Sequence, residues 1–110
     1  MEISRGDIVI ARLPGDYGKG RPGLIVQSDA FDPTHASIVV CPITSHLIDA
    51  PLFRVELSPS SHNGLESPSQ IMVDKLMAIK RERVSRVIGH LPGRSLERVN
   101  RALRTWLSVD

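Results

Sequence analysis

Short, β-branched apolar runs follow one another closely through the first two-thirds of the chain, and a single amphipathic helix comes after them. Segment 52–58 shows the strand pattern best, because Phe53, Val55 and Leu57 alternate with polar residues, as in a strand with one buried face. Pro42 cannot donate a ladder hydrogen bond, so we expect an edge, a bulge or the end of a strand there. The predicted strands are 7–13, 23–28, 36–44, 52–58, 70–80 (a bent strand or a tight pair) and 86–91.

Residues 94–109 have helical spacing, and Ser95 is a candidate N-cap just after the chain-breaking pair at 92–93. One apolar stripe runs along this helix; it consists of Leu96, Val99, Leu103 and Trp106 or Leu107. Several strands and one packing helix predict a mainly β fold with one α-helix, a small and strongly bent antiparallel barrel. A length of 110 residues fits a single domain over 1–110.

Composition excludes several classes of protein. Cys41 is the only cysteine, which rules out an internal disulfide and a multi-cysteine zinc site and fits a reducing compartment. No run approaches the ~20 apolar residues of a membrane span, and the N-terminus has no apolar signal segment. We therefore expect a soluble cytoplasmic domain without a metal or cofactor.

Basic and acidic residues are concentrated in different parts of the chain. Residues 1–74 contain five basic and nine acidic side chains, whereas residues 75–104 contain nine basic and two acidic ones. Eleven of the fourteen cations are arginine, whose planar guanidinium suits phosphate. This distribution predicts either a solvated basic helix face or a surface for nucleic acid or an acidic peptide.

A glycine-rich segment, GDYGKGRPG at residues 15–23, leads into the second predicted strand and contains Lys19 and Arg21. The segment is either an ordinary turn or a loop that presents a cation to an anionic partner. Pro22 restricts Arg21 to extended backbone, which orients the arginine side chain in advance.

Four segments occur in the order RGDIV, GKGRPGLIVQSD, VVCPIT and QIMVDKLMAI, and a predicted helix follows the last of them. Together they resemble the MazF/PemK family of toxin ribonucleases over residues 5–107. The resemblance implies an SH3-like barrel, normally a symmetric homodimer, and metal-independent cleavage of single-stranded RNA at short sequences. It also implies an antitoxin partner whose acidic, disordered C-terminal segment lies across the RNA groove. The family's catalytic arginine and threonine correspond to Arg21 and Thr44.

These two residue types suit RNA cleavage by attack of the 2′-hydroxyl on the adjacent phosphorus. Such an enzyme must align the attack and stabilise charge on the phosphate oxygens. A guanidinium offers bidentate donors to a phosphate, and a hydroxyl offers one more hydrogen bond. Arginine, with a pKa above ~12, is a poor general base, so we assign Arg21 to charge stabilisation or positioning.

The other candidate site residues are predicted to bind substrate. Lys19 is expected to hold phosphate without sequence preference. Tyr17 either stacks on a base or is an exposed loop residue. His46, two residues beyond Thr44, is the histidine best placed in sequence for proton transfer. Asp74 and Lys75 stand at the position of the family's acidic–polar pair. The two alternatives for them are a structural hydrogen bond and a contact to a base.

Two other functions stay open. The PGDYGKG segment is shorter than in many family members and lacks their GSEQ-type stretch, which puts RNA sequence specificity in question. A second resemblance is to CcdB, a gyrase-poisoning toxin of the same general fold, and it rests on VQSDAFD, VVCPITSHL and Trp106. The chain departs from CcdB after the tryptophan, where LSVD stands in place of a WGI-like tail. The Arg21–Pro22 pair favours the ribonuclease. A non-catalytic barrel that binds RNA or peptide is the remaining alternative.

Overall fold

The computed structural model describes residues 1–15, 17–31 and 34–110, and these residues form seven strands, three 3-10 turns and one α-helix. The strands are β1 (Asp7–Arg12), β2 (Gly20–Ile25), β3 (Ser37–Thr44), β4 (Arg54–Leu57), β5 (Ser69–Met72), β6 (Met77–Lys80) and β7 (Val84–His90). The helix α1 spans Gly93–Leu107, and the 3-10 turns are Asp29–Phe31, Val73–Lys75 and Arg81–Arg83.

All strand pairings are antiparallel, in the order β4-β5-β3-β2-β1-β7, with β6 paired to the first half of β3. In the described ranges no strand pairing joins β7 back to β4 or β6. The β4–β5 loop approaches β7 instead, where the His90 backbone N–H donates to the His62 carbonyl at 2.8 Å. The predicted antiparallel, barrel-like fold with a C-terminal helix is confirmed, with this loop rather than a ladder covering the β7 edge.

Of the three alternatives for the end of this strand (an edge, a bulge or the start of a loop), the start of a loop at Pro42 is wrong, since β3 continues to Thr44. β3 pairs with β6 over residues 37–40 and with β5 at residues 43–44, while its other edge pairs with β2. Pro42 therefore lies where β3 exchanges one neighbour for the next, a break in the ladder that tolerates a residue without an N–H. Segment 70–80 is bent as expected: β5 and β6 pair with β3 rather than with each other, and the turn Val73–Lys75 separates them.

Helix α1 begins earlier than predicted, with Pro92 rather than Ser95 at the N-cap. Pro92 has extended backbone, and its carbonyl accepts the Leu96 N–H at 2.9 Å, which places Ser95 inside the first turn. The predicted apolar stripe packs against the core as far as Leu103. Trp106 and Leu107 at its end are about half exposed, with the centroid of the Trp106 ring 5.4 Å from that of Phe53. Val99 and Ala102 are buried, and Leu96 and Leu103 lie against the same core cluster.

The core consists of two clusters. One lies between the sheet and α1 and includes Ile8, Leu24, Ile71 and Val99. The other gathers residues of β1, β2, β3, β6 and β7 around Val9 and Val40. Because the sheet is covered on both sides over much of β1 to β3, these strands form the fixed frame on which the site is built.

Cys41 lies fully buried on β3, in the cluster beneath α1. Burial raises the pKa of its thiol to about 12; the Arg5 charge lowers that pKa and the Asp74 charge raises it by smaller amounts. The thiolate is the reactive form of cysteine, so the folded chain holds this residue in an inert state.

We expect Cys41 to resist iodoacetamide at pH 8 in the native protein and to react when the protein is unfolded in urea. The unfolded thiol ionises from about pH 9, whereas the folded one stays protonated to about pH 12. The contribution of this thiol to the free energy of unfolding is therefore fully present below about pH 9, and it falls as the pH rises from about 9 to about 12. Mass spectrometry of timed reactions measures the rate. Native alkylation as fast as in urea would contradict the burial.

Candidate active site

A groove of about 630 Å³ opens where β1, β2, β3 and β7 face the segment 64–69. Arg21 and Pro22 contribute from β2, Pro42 and Thr44 from β3, and Arg86 from β7. With Ile10 of β1 and Met72 of β5, five strands thus supply residues to one concavity. Segment 64–69, at the end of the β4–β5 loop, adds Glu66 and the hydroxyls of two serines.

Arg21 and Thr44 lie at equivalent positions on neighbouring strands. The β2–β3 ladder pairs Ile25 with Val40, Leu24 with Cys41 and Gly23 with Pro42, and Arg21 and Thr44 each lie two residues beyond its last pair. Both residues line the groove. β2 begins at Gly20, so Arg21 and Pro22 belong to a strand, where the sequence predicted a loop. The predicted pair is therefore carried by regular β-structure rather than by a turn.

The Thr44 hydroxyl is oriented by the backbone that follows it. The His46 N–H donates to Thr44 Oγ1 at 3.0 Å. A hydroxyl has one O–H donor and two acceptor lone pairs, so this bond uses an acceptor position and leaves the O–H to donate to a bound anion. Thr44 is half-buried, which limits the competition from water.

A buried amide holds the segment beyond Thr44 in place. Gln70, opposite Thr44 in the β3–β5 ladder, is only 2% exposed. Its side chain accepts from the Ile48 N–H at 3.2 Å and donates to the Ile48 carbonyl at 2.8 Å. Arg54 bonds both Gln70 Oε1, at 2.9 Å, and the His46 carbonyl, at 3.2 Å. Sequence patterns did not reveal this support, because it depends on contacts between residues 8 to 22 positions apart in the chain.

The remaining predicted residues divide between the groove and other surfaces. Pro22 lines the groove. His46 lies beside it, exposed, with its backbone bonded to Thr44. Tyr17 and Lys19 are exposed and do not line it; the Tyr17 backbone is left-handed, with φ of 52°.

Asp74 and Lys75 occupy the 3-10 turn between β5 and β6, outside the groove of this chain. The turn Val73–Lys75 packs against α1, and the Asp74 charge acts on Cys41 in the core beneath that helix. The direction of the chain after β5 explains this placement, because it turns from the groove towards α1. Their predicted contact with substrate is not supported by the position of this turn.

The groove carries more positive than negative charge. Its described lining contains two guanidinium groups, Arg21 and Arg86, and one carboxylate, Glu66. Sequence reasoning counted Arg86 only as part of the basic C-terminal third and took residues 58–69 as a plain loop. The α1 arginines lie elsewhere: Arg98 and Arg101 line a second cavity of about 160 Å³ between α1 and residues 51–55.

Residues 1–15, 17–31 and 34–110 contain no group of three or more histidine, cysteine, aspartate or glutamate side chains placed to hold a metal ion. No helix in them has the length and apolar character needed to cross a bilayer.

A coiled antiparallel sheet, a C-terminal helix and a cationic groove with paired Arg and Thr side chains define a small barrel-like protein built to bind an anionic chain. Residues 4–107 match the family model described as PemK-like, MazF-like toxin of type II toxin-antitoxin system. The chain belongs to this family, and the predicted resemblance is confirmed.

Named relatives agree with the family match. The chain is 41% identical over 108 residues to a probable endoribonuclease MazF of Mycolicibacterium smegmatis, covering 97% of this chain and 98% of that protein. It is 28% identical to endoribonuclease EndoA of Bacillus subtilis, covering 99% and 97%. Among solved structures, the Mycobacterium tuberculosis toxin MazF-mt6 superposes with a TM-score of 0.81 at 27% identity, covering 94% and 98%. A mycobacterial endoribonuclease in complex with its cognate antitoxin superposes with a TM-score of 0.84 at 21% identity, covering 99% and 98%.

Proposed function

We propose that this toxin cleaves single-stranded RNA in the groove by attack of a ribose 2′-hydroxyl on the adjacent phosphorus, without a metal ion. The products are a 2′,3′-cyclic phosphate and a 5′-hydroxyl. The endoribonuclease class rests on the family match and on the relative at 41% identity. The single observation that carries the mechanism is that Arg21 on β2 and Thr44 on β3, two neighbouring strands, line one groove.

Each residue has a distinct role in this proposal. Arg21 donates two hydrogen bonds to the non-bridging oxygens and stabilises the charge that grows on them during attack. Thr44 donates its O–H to the same phosphate, since its acceptor side is bonded to the His46 N–H. Glu66 is the only carboxylate of the described lining, and His46 follows Thr44 at the edge of the groove, so these two side chains, water and the substrate are the candidate acceptors for the 2′-hydroxyl proton.

The proposed partners follow from the same surface. A related mycobacterial endoribonuclease has been solved with its cognate antitoxin. We propose that this chain is a cytoplasmic homodimer, neutralised by an antitoxin whose acidic, disordered C-terminal segment lies across the groove. Arg21 and Arg86 supply the complementary charge, and an acidic segment that orders on binding is a common ligand for such a surface.

The function is tested by digesting a defined single-stranded RNA in excess EDTA. We expect cleavage at full rate, since the proposed charge stabilisation comes from Arg21 and Thr44. Mapping of the product ends should show a cyclic phosphate and a 5′-hydroxyl, and a single 2′-deoxy substitution at the cleaved position should abolish cleavage there. Loss of activity that magnesium restores would overturn the mechanism. Inhibition of gyrase supercoiling by a chain that leaves RNA intact would identify a gyrase poison instead.

A further inference from the structure

Arg86 lies in the groove on the opposite side of β1 from Arg21. In the sheet, β1 runs between β2 and β7, and Ile10 pairs with Pro22 on one side and with Arg86 on the other. Cross-strand partners project to the same face of a sheet, so Arg86 shares a face with Pro22. Arg21, which pairs with Ala11, belongs to the alternate set of β2, and both arginines line the groove. With strands ~4.8 Å apart, the Cα atoms of Pro22 and Arg86 are separated by roughly 10 Å. Arg86 is therefore set well to one side of the phosphate that Arg21 is proposed to hold.

Within the described residues, the Arg86 side chain makes no hydrogen bond or ion pair. Several other arginines in the described ranges make hydrogen bonds or ion pairs within the protein; they include Arg5, Arg54, Arg98 and Arg104. Arg86 makes no such contact in the described residues, although Glu66 lines the same groove. It is also exposed, so its guanidinium can meet a ligand at little cost in desolvation.

From these positions we infer a second phosphate subsite, at Arg86, which binds a backbone phosphate of the RNA other than the scissile one. The inference rests on the proposed function, since it assigns a second contact to the same substrate. An extended anionic strand that passes from Arg21 across Ile10 meets Arg86 next. Contacts to backbone phosphate fix the register of a nucleic acid but carry no sequence information. Arg86 is thus a binding residue that acts on affinity, whereas Arg21 acts on the rate of cleavage.

The test compares Arg86→Gln with Arg94→Gln. Arg94 is an exposed arginine in the first turn of α1, outside both cavities, so its variant matches the change of charge. The probes are two short 2′-O-methyl RNA oligonucleotides, which lack the nucleophile. One carries the mapped cleavage sequence and the other a scrambled version. Dissociation constants are measured at salt concentrations from about 50 to 200 mM.

We expect Arg86→Gln to weaken binding of both oligonucleotides about tenfold, as for loss of one charged hydrogen-bond donor. The slope of the logarithm of the binding constant against the logarithm of the salt concentration should become shallower by about 0.7, the value for one phosphate contact on a single strand. KM for cleavable RNA should rise, while kcat at saturation stays within about twofold, since the scissile phosphate is still held by Arg21. Arg86→Lys should recover most of the salt slope, because it restores the charge, and thermal melting confirms that each variant is folded.

The subsite is overturned if Arg86→Gln binds both probes with the affinity and salt slope of Arg94→Gln. A fall in kcat at unchanged affinity also overturns it, because Arg86 would then act on the chemical step. Failure of the proposed function gives a different result: the unaltered chain would not cleave RNA at all. An uncleavable oligonucleotide of arbitrary sequence needs no mapped cleavage site, so its binding to the Arg86→Gln and Arg94→Gln variants decides the subsite in that case as well.

Discussion

Replacing Arg21 with glutamine is expected to lower the kcat of RNA cleavage by about 10³-fold or more while the fold stays intact. Loss of one preorganised donor from a site of developing charge costs about 10²–10³-fold, and Arg21 supplies two donors and a full charge. The side chain is exposed on β2, so its removal leaves no cavity in the core. Single-turnover cleavage of a saturating RNA measures the chemical step directly.

Two variants show whether this loss comes from geometry or from charge. Arg21→Lys keeps the charge but not the planar fork, so we expect it to recover only a small part of the rate. Arg12→Gln removes an exposed arginine from β1, outside the groove, and should cleave at the normal rate. A folded Arg21→Gln protein that cleaves within tenfold of the unaltered chain would remove Arg21 from the mechanism.

Replacing Gly64 with alanine is expected to destabilise the protein by about 3–5 kcal/mol, combining left-handed backbone strain with forced overpacking. Gly64 has φ of +69°, and a Cβ there would lie 2.2 Å from the Ile88 carbonyl oxygen on β7. Gly64 and Ile88 both line the groove, so the substitution must push segment 64–69 away from the strands. Urea unfolding measures the stability, and RNA affinity should fall in parallel.

Gly18→Ala is the matched control for this substitution. Gly18 has φ of +79°, but a Cβ added there meets nothing within 4 Å. Its variant should show the backbone strain alone, about 1–2 kcal/mol. If Gly64→Ala costs no more than Gly18→Ala, the close approach of the β4–β5 loop to β7 is not a tight contact in solution.

Strands with alternating burial could be predicted from the sequence, because their pattern is local. Val55 and Leu57 are buried on β4 as their spacing indicates, and Val99 is buried on α1. The start of β2 was missed, since glycine and proline at 20–23 are typical of a turn. Only the pairing of Arg21 with Ala11 on β1 shows that these residues continue a strand.

The site could be predicted in part. Arg21 and Thr44 came from a resemblance, and the β2–β3 register explains why they lie together. The sequence pattern did not identify Arg86 as a groove residue, because the alternation of buried and exposed side chains fails on β7. The β1–β7 register shifts twice, so Ser85 and Ile88 are passed over in the pairing, and a bulged strand does not reveal from its sequence which side chains face a cavity. The approach of Gly64 to Ile88 depends on tertiary packing that no local pattern encodes.

The wall of the groove at 64–69 belongs to a loop, whereas the arginines and the threonine stand on strands. The Asn63 side chain ties this loop to itself, bonding the Ser60 and Leu65 N–H groups and the Ser58 carbonyl at 2.8–3.1 Å. Provided that the residues packed against β7, Gly64 above all, are kept, residues 65–68 of such a unit can change composition at small cost to the strands. Exchanging this loop between homologous toxins should therefore transfer nucleotide preference and leave the turnover machinery in place.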